Sequence, residues 1–524
     1  MKKRWRYVVG VIPVASVLAL ATCAAAETCK LETKRIESAV TRTSSGAMSV
    51  ELWFRTTRSQ SFFEQTSGPE GMIRGPEKPG VPEFSEVIKK EPSQYNAEHV
   101  FRGVVKLGSQ YFGFAFDTSK KAGDGDESEE KGEDDQATKG AKNPLNALVP
   151  SGSGNQAMNV VAYDRLYFDL NHNGDLTDDE VIESEGEPQK AASYARCSFP
   201  VVDLTIEFDG KKTEYAFRMS VYSRGSSRYS YANASLSAAV YREGEMEIDG
   251  KTYRVVVVDF NSNGRFDDRY QVDDRRGSSD GPVYPRTGDM LYVIDPEAEP
   301  PRGNVSPYDP SSNRSLHYVT KLVNLDGDFF DLAITPAGDE LTLEPSSLAV
   351  GHVTNPNEGY RAVVYGEHGF LNIVGDESGK ARVPAGRWKL ASYTIEKADT
   401  QEPEEAESGS LLDSFKRALL GGARPAPRQR RDNRVSAQAN RDYQEVVVKK
   451  GETVELPFGE PYRPVVSIGG RRGQREVSLS LALVGQGGER CSSMYVDGSR
   501  PGKPEFTIRT ADGEVVESGN FEYG

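Results

Sequence analysis

Asp-Gly pairs between runs of alternating apolar and polar residues are the feature that most restricts the fold of this chain. Four such pairs separate alternating runs, at Asp209-Gly210, Asp249-Gly250, Asp326-Gly327 and Asp512-Gly513. Asp-Gly supplies the positive φ angles that a tight hairpin turn requires. Each pair therefore predicts a β-hairpin, and together they predict antiparallel sheets.

The runs between these turns have the period of strands. In VSLSLAL, the residues Val477, Leu479, Leu481 and Leu483 share one face, and smaller residues occupy the other. Amphipathic helical patterns are scarce, and the best of them is SLLDSFKRALLGG, which begins at Ser410. We therefore expect an all-β, mainly antiparallel protein in which a duplicated strand–loop region precedes one or more β-sandwich domains, with long disordered insertions.

The N-terminus has the pattern of an export signal. Four basic residues precede an apolar run from Tyr7 to Ala21, and the small residues Ala24 to Ala26 follow it. A run of this length is shorter than the about 20 residues that a membrane-spanning helix needs. We expect cleavage after residue 26 and a secreted, periplasmic or cell-envelope protein. The alternative is a lipoprotein anchored at Cys23.

Charge and cysteine content narrow the function classes further. The whole chain carries −15, and removing residues 1–26, which hold four basic and no acidic residues, leaves −19. Such a charge disfavours nucleic acid and favours cations. The three remaining cysteines, Cys29, Cys197 and Cys491, allow one disulfide. The sequence contains no CxxC pair with the spacing of a zinc site.

Composition shifts divide the chain into segments. Two stretches are predicted to be disordered because they are highly charged and poor in large apolar residues: the acidic segment 120–142 and the insertion 398–441. The predicted units are a signal peptide 1–26, a mixed region 27–98, a β region with two loops 99–300, a β-sandwich 301–464, and a small C-terminal sandwich or sandwich half 465–524.

The stretch DLNHNGDLTDDE, beginning at Asp169, closely resembles the calcium-binding loop of the EF-hand family. That loop carries side-chain oxygens at positions 1, 3 and 5, glycine at 6, a backbone carbonyl at 7, a direct or water-mediated ligand at 9 and a bidentate Glu at 12. If a strand follows directly, Asp178 is the alternative to the Glu. The resemblance implies calcium ligands at Asp169, Asn171, Asn173, Asp175, Thr177 and Glu180.

A degenerate copy of the loop begins 90 residues later, in DFNSNGRFDD. Tyr270 replaces the Glu at position 12, so this copy is more similar to the shorter calcium loops of β proteins, which end in an Asp at position 9. Asp267 is the Asp at position 9, and Asp268 is the alternative to it. The predicted ligands are Asp259, Asn261, Asn263, the Arg265 backbone carbonyl and Asp267.

The two copies share their preceding strand as well as their loop. Leu166 and Phe168 correspond to Val256 and Val258, with the same alternation running into each loop. We interpret this as an internal duplication with structural calcium, since no long helix follows to act as a switch. The alternative is a pair of Asx-rich turns without metal.

The remaining motifs indicate sandwiches more than catalysis. KARVPAGRWKL, near 380–460, is weakly similar to carboxypeptidase-regulatory or transthyretin-like sandwiches. Asp117-Thr118-Ser119 lacks the glycine and the second copy of an aspartic peptidase, and the HExxH motif of zinc peptidases is missing from the sequence. The sequence therefore predicts an exported calcium-binding protein for binding, adhesion or scaffolding, whose partners would be envelope or extracellular proteins or polysaccharide. The alternative is a secreted hydrolase with an undeclared carboxylate site.

Overall fold

The computed structural model describes part of the chain. The described residues are 26–36, 57–67, 80–120, 160–226, 229–272, 281, 283, 285–286, 288–298, 308–397, 433–470 and 477–523. The predicted signal peptide up to residue 25, the acidic segment from 121 onward, the insertion up to 432 and the helix predicted from Ser410 lie outside the described residues.

The described residues form mainly antiparallel strands, one short helix α1 (Phe84–Val87) and one 3-10 turn (Pro310–Ser312). The strands, in chain order, are β1 Glu27–Lys30, β2 Glu32–Arg35, β3 Gln60–Ser67, β4 Phe101–Leu107, β5 Gln110–Asp117, β6 Arg165–Phe168, β7 Ile182–Glu183, β8 Gln189–Ala191, β9 Tyr194–Ser198, β10 Val202–Phe208, β11 Lys211–Gly225, β12 Ser230–Ala238, β13 Val240–Ile248, β14 Lys251–Val258, β15 Gln271–Val272, β16 Pro285–Arg286, β17 Met290–Ile294, β18 Leu316–Tyr318, β19 Leu322–Leu325, β20 Asp328–Ile334, β21 Glu340–Pro345, β22 Val350–Thr354, β23 Arg361–Gly366, β24 Gly369–Val374, β25 Lys380–Pro384, β26 Gly386–Lys397, β27 Asn433–Gln438, β28 Val446–Val448, β29 Thr453–Glu455, β30 Arg463–Gly469, β31 Ser478–Val484, β32 Arg490–Tyr495, β33 Glu505–Arg509 and β34 Val515–Asn520.

The predicted all-β, antiparallel class is confirmed. Each of the four Asp-Gly pairs joins two antiparallel neighbours: β10–β11, β13–β14, β19–β20 and β33–β34. In the first three turns both residues have positive φ, as in Asp209 (47°) and Gly210 (84°). The turn chemistry therefore sets these hairpins, because Asp and Gly are the residues that adopt this backbone at little cost.

The N-terminal half packs several sheets around one large core. A six-stranded sheet (β3-β12-β11-β9-β8, with β10 beside β11) lies with the four-stranded sheet β4-β5-β6-β7 and the five-stranded sheet β18-β17-β14-β13-β2. Aromatic side chains fill the core, and Phe114 stacks on Phe168, which in turn contacts Phe217. The strands β6 and β14, which precede the two loops, both contribute to this core.

The C-terminal half is a β-sandwich. The eight-stranded sheet that contains β23 and β26 lies with the smaller sheet β25-β22-β29, and a second core contains Trp388, Tyr393 and Phe458. β30, β31 and β32 extend the larger sheet, whereas β33 and β34 form a separate two-stranded sheet. β27, within the predicted insertion 398–441, pairs with β26 and is an ordered strand.

The sheets cross the unit boundaries predicted from the sequence. β1 pairs with β21, so residues 27–30 share a sheet with residues 340–343. A third core joins Val256 and Tyr292 to Val363 and Ala391 across residue 300. Pairing between strands far apart in sequence leaves no local composition signal. All three described cysteines are free thiols.

Candidate metal centres

The first predicted loop follows β6 directly, and backbone hydrogen bonds join it to the segment after α1. Gly174 has φ 78°, and its carbonyl accepts the N–H groups of Lys89 and Lys90 at 2.8 and 3.1 Å. The N–H of Leu176 donates back to the Lys90 carbonyl at 3.0 Å. Leu176 is buried beside Ile88, so the loop is fixed against the segment after α1.

Side chains of the first loop turn inward onto backbone N–H groups. The buried carboxylate of Asp169 accepts the N–H of Asn173 at 2.9 Å and of Gly174 at 3.1 Å. Oδ1 of Asn171 accepts the N–H of Asn173 at 3.0 Å, and Oδ1 of Asn173 accepts the N–H of Asp175 at 2.8 Å. Three of the predicted ligands therefore surround one point of the loop.

The residue that faces these side chains is Asp178, at position 10. Its carboxylate lies 2.7 Å from the amide nitrogen of Asn173 and 3.4 Å from that of Asn171. Glu180, the predicted bidentate ligand, is exposed and lies just before β7, the strand that pairs back onto β6. Asp178, the alternative to Glu180, is therefore the carboxylate that faces the side chains at positions 3 and 5.

Asp175 and Thr177 make their contacts with each other. The N–H and hydroxyl of Thr177 donate to the Asp175 carboxylate at 2.9 and 2.5 Å. Lys90 adds an ion pair of 2.7 Å, and its hydrogen bond is the main reason that the pKa of Asp175 falls to about 2. The side chain of Asp175 is thereby occupied, which leaves its backbone carbonyl as the group predicted for position 7.

The second loop repeats the first contact by contact. The carboxylate of Asp259 accepts the N–H groups of Asn263 at 3.1 Å and Gly264 at 2.7 Å. Oδ1 of Asn261 accepts the N–H of Asn263 at 3.2 Å, and Oδ1 of Asn263 accepts that of Arg265 at 2.8 Å. Gly264 has φ 81°. The equivalence extends the duplication from sequence to geometry.

Asp268, again at position 10, faces the two amides of the second loop. Its Oδ2 lies 2.9 Å from the amide nitrogen of Asn261 and 2.5 Å from that of Asn263. Asp267, the predicted last ligand, forms an ion pair with the Arg265 guanidinium at 2.8 Å instead. Asp268, and not Asp267, is therefore the carboxylate that faces Asn261 and Asn263.

In each loop, a further carboxylate accepts the backbone N–H of the residue at position 2. In the first loop, Asp179 accepts the N–H of Leu170 at 3.2 Å. In the second, Asp289, just before β17, accepts the equivalent N–H of Phe260 at 3.1 Å and that of Asp268 at 2.8 Å. Asp179 lies at position 11 of its own loop, whereas Asp289 comes from the segment just before β17.

The carboxyl groups of these residues and of Asp259 have raised pKa values. Burial raises the pKa of Asp179 to about 6. Asp259 and Asp289 are fully buried, and burial raises the pKa of both, with mutual repulsion adding to the effect on Asp289. Tyr215 donates its hydroxyl to Asp259 at 2.8 Å. A cation beside this pair would offset the cost of burying their charges.

The donor set of both loops is made of oxygen atoms only. The candidate donors of each loop are two carboxylates, two amide oxygens and a backbone carbonyl, the hard ligands that calcium prefers. No group of three or more His, Cys, Asp or Glu side chains that could hold a metal is found among the described residues. Any metal in these loops would therefore depend on the amides and the backbone. In the structure, the amide oxygens of Asn173 and Asn263 accept backbone N–H groups, and their amide nitrogens face the position-10 carboxylates.

The sequence signal for Asp178 and Asp268 was present but not decisive. Both lie at position 10, and an alignment of the two loops on their glycines makes them coincide. Nothing local pointed to Asp289, which lies 30 residues after Asp259 in sequence. Its role depends on the pairing of β14 with β17.

Comparisons with known proteins give no relative for this arrangement. No protein-family model, curated protein or solved structure matches the chain. Within the described residues, no helix is both long and apolar enough to cross a bilayer. The function is therefore argued from the geometry of the chain itself.

Proposed function

We propose that the chain is an exported β protein that binds calcium in two loops, where the metal braces the fold. The single observation that supports this most is the repetition of one arrangement. Carboxylates at positions 1 and 10 and amides at 3 and 5 adopt the same contacts in loops 90 residues apart. Two Asx turns without a shared ligand would have no reason to keep their position-10 carboxylates on the same two amides.

The chemistry of the loops favours calcium over magnesium. Calcium accepts six to eight oxygen ligands in irregular geometry, whereas magnesium requires a near-ideal octahedron and keeps its waters. The ligands here come from one short loop that is fixed by backbone contacts, such as Leu176 N–H to Lys90 and Phe266 N–H to Pro336. An irregular but preformed loop of this kind suits calcium.

A bracing role fits the elements that flank the loops better than a switch does. β6 enters the first loop, and β7 pairs back onto β6 immediately after it. β14 enters the second loop, and Asp289 ties that loop to β17. Calcium switches of the EF-hand type act by opening two helices. Sheet strands in these positions would hold the loop in place and transmit no such motion.

A binding or scaffolding role at the cell envelope or outside the cell is the broader part of this proposal. The rival, a hydrolase, would need a carboxylate pair in a cleft. Asp259 and Asp289 are one close carboxylate pair among the described residues, and both are fully buried in the core. A substrate could not reach them without unfolding of the loop.

Calorimetric titration with calcium tests the proposal. Wild-type protein should give two binding events, Asp169→Ala should remove one of them, and Asp259→Ala the other. Extracellular loops typically bind with dissociation constants of about 10⁻⁴–10⁻³ M. At ten times that constant, each site adds about 1.4 kcal/mol of stability.

Thermal unfolding provides the companion measurement. The melting temperature should rise with calcium and rise much less with magnesium at the same ionic strength. A melting curve that is identical in calcium and in EDTA would contradict the bracing role, and two unaltered binding events in Asp169→Ala would show that the metal binds elsewhere.

A further inference from the structure

One face of the six-stranded sheet looks away from the large core. On β11, Phe217, Met219 and Val221 point into the core, while Ser220 and Tyr222 alternate with them and point outward. The register places outward residues of neighbouring strands side by side in rows. On the stretch of β11 from Ser220 to Arg224 and on the strands paired around it, the outward residues are Ser61, Phe63 and Gln65 on β3, Tyr231, Asn233 and Ser235 on β12, Ser220, Tyr222 and Arg224 on β11, Tyr194, Arg196 and Ser198 on β9, and Gln189 and Ala191 on β8. We call these residues the outer face.

The outer face contains no acidic residue, although the chain carries 79 Asp and Glu residues, and Asp203 and Glu214 lie on the same side of the sheet only further along, where β10 pairs with β11. Its only charged side chains are Arg196 and Arg224, on neighbouring strands. Both are exposed, and neither forms an ion pair with a described residue. In a chain of net charge −15 the outer face is therefore a local positive area. Its charge complements a ligand with a few negative groups.

Aromatic rings form two stacks on the outer face. Phe63 and Tyr231 stack with centroids 5.4 Å apart, and Tyr194 and Tyr222 with centroids 5.8 Å apart. Between the stacks lies an open groove of about 620 Å³ whose lining includes Asn233 and three of these four aromatics. That volume lies within the range of about 300–1,000 Å³ that is usual for ligand sites.

Hydroxyl and amide groups supply the polar part of the groove. Ser220 and Ser235 lie side by side on neighbouring strands, and Asn233 lies beside Tyr222 in the next row. Arg196 lies on the other side of Tyr222. The groove thus offers aromatic rings, neutral donors and acceptors, and one guanidinium within a few ångströms, since neighbouring strands are about 4.8 Å apart.

We propose that the outer face binds an anionic polysaccharide, with sugar rings against Tyr222 and Tyr231 and a carboxylate or sulfate against Arg196. The C–H faces of a sugar ring pack on the electron-rich face of an aromatic ring. Its hydroxyls bond to serine and asparagine groups, and its acidic group pairs with a guanidinium. This deepens the proposed function and rests on it in one respect, that the chain acts outside the cytoplasm.

The pattern favours a polysaccharide over the other extended polymers. A peptide strand usually docks at a sheet edge, where unpaired backbone groups are available, whereas this groove lies on a face. Single-stranded nucleic acid is held by basic side chains that follow every phosphate. Two arginines among fourteen outward residues match a polymer with a charge on only some of its units.

Binding of the purified mature chain to hyaluronan, chondroitin sulfate and polygalacturonate, measured by biolayer interferometry in EDTA, tests the proposal. EDTA removes calcium bridges between protein and polymer. We expect binding to at least one of the three, about tenfold weaker in Tyr222→Ala because aromatic anchors dominate such interfaces. Tyr222→Phe, which keeps the ring, should stay within about threefold of wild type. Arg196→Gln should weaken binding and flatten its salt dependence.

Matched controls separate the groove from general effects of charge and fold. Tyr523→Ala removes an exposed tyrosine in the C-terminal segment, and Arg387→Gln removes an exposed arginine of β26. Both should bind as wild type does. Failure of the wild type to bind any of the three polymers would overturn the proposal, as would equal losses in the controls or preferential binding to oligothymidylate.

The calcium titration keeps this proposal distinct from the first one. If two calcium events are measured but no polysaccharide binds, the calcium assignment stands and the outer face has been misassigned. If the polymer binds in EDTA and no calcium event is measured, the outer face stands without the loops.

Discussion

Tyr215 donates its hydroxyl to the carboxylate of Asp259 at 2.8 Å, and both side chains are buried in the core. Asp259 therefore has three donors in place, since the N–H groups of Asn263 and Gly264 also reach it. Its counterpart Asp169 accepts the two backbone N–H groups of its own loop. The second loop is thus fastened to β11 as well as to its own turn.

Tyr215→Phe should destabilise the protein by about 1.5–3 kcal/mol, because it removes a hydrogen bond to a buried charged group. Tyr360→Phe is the matched control, since the buried Tyr360 hydroxyl has no hydrogen-bond partner in the described part of the chain. That change should cost less than about 0.5 kcal/mol. Urea unfolding compares the two variants. Equal decreases in the free energy of unfolding would mean that the hydrogen bond from Tyr215 to Asp259 does not stabilise the protein.

Position 10 should matter more for calcium than position 12 in the first loop. Asp178→Asn should weaken the first binding event about tenfold, because it replaces one of two carboxylates that face the loop centre. Glu180→Gln should leave the affinity within about twofold, since Glu180 is exposed next to β7. Calorimetric titration of both variants decides between them. A larger loss in Glu180→Gln would restore the EF-hand assignment.

The second loop offers an independent version of the same test. Asp268→Asn should weaken its binding event, whereas Asp267→Asn should have little effect because Asp267 already pairs with Arg265. The reverse order would show that Asp267 leaves Arg265 when calcium binds.

Local chemistry accounts for what the sequence could predict. Asp-Gly pairs determine hairpins because only a few residue types accept positive φ, and the alternation of Leu166 and Phe168 reveals which face is buried. The core of each loop was predictable for the same reason. Positions 1, 3, 5 and 6 are set by contacts within six residues.

Long-range pairing accounts for what the sequence could not predict. Asp289 reaches the second loop only because β17 pairs with β14, and β1 joins a sheet whose other strands lie 300 residues later. Asp178 rather than Glu180 faces Asn171 and Asn173, and β7, which begins just after Glu180, pairs back onto β6. Such contacts depend on which strands meet, and this is not visible in any one stretch of sequence.

Gly174→Ala should destabilise the protein by about 2 kcal/mol and abolish the first calcium event. Gly174 has φ 78°, and an added Cβ would lie 2.8 Å from the Val87 carbonyl oxygen. The control is Gly186→Ala, which has nearly the same φ of 73° but nothing within 4 Å of the added atom. It should cost only the about 1 kcal/mol of the left-handed backbone. Denaturant unfolding and calcium titration of both variants separate strain from collision.

Glu64→Gln should stabilise the protein by about 1–3 kcal/mol at pH 8, and by much less at pH 5. Glu64 accepts the N–H of Arg102 at 3.0 Å, a contact that the Gln oxygen can keep. Burial raises the pKa of Glu64 to about 7, whereas an unfolded Glu titrates near about 4.3. Between these values the folded state binds more protons, so its stability falls as pH rises through that window. Denaturant unfolding at both pH values measures the difference, and a Glu64→Gln variant that is equally stabilised at pH 5 and pH 8 would rule out ionisation of Glu64 as the cause.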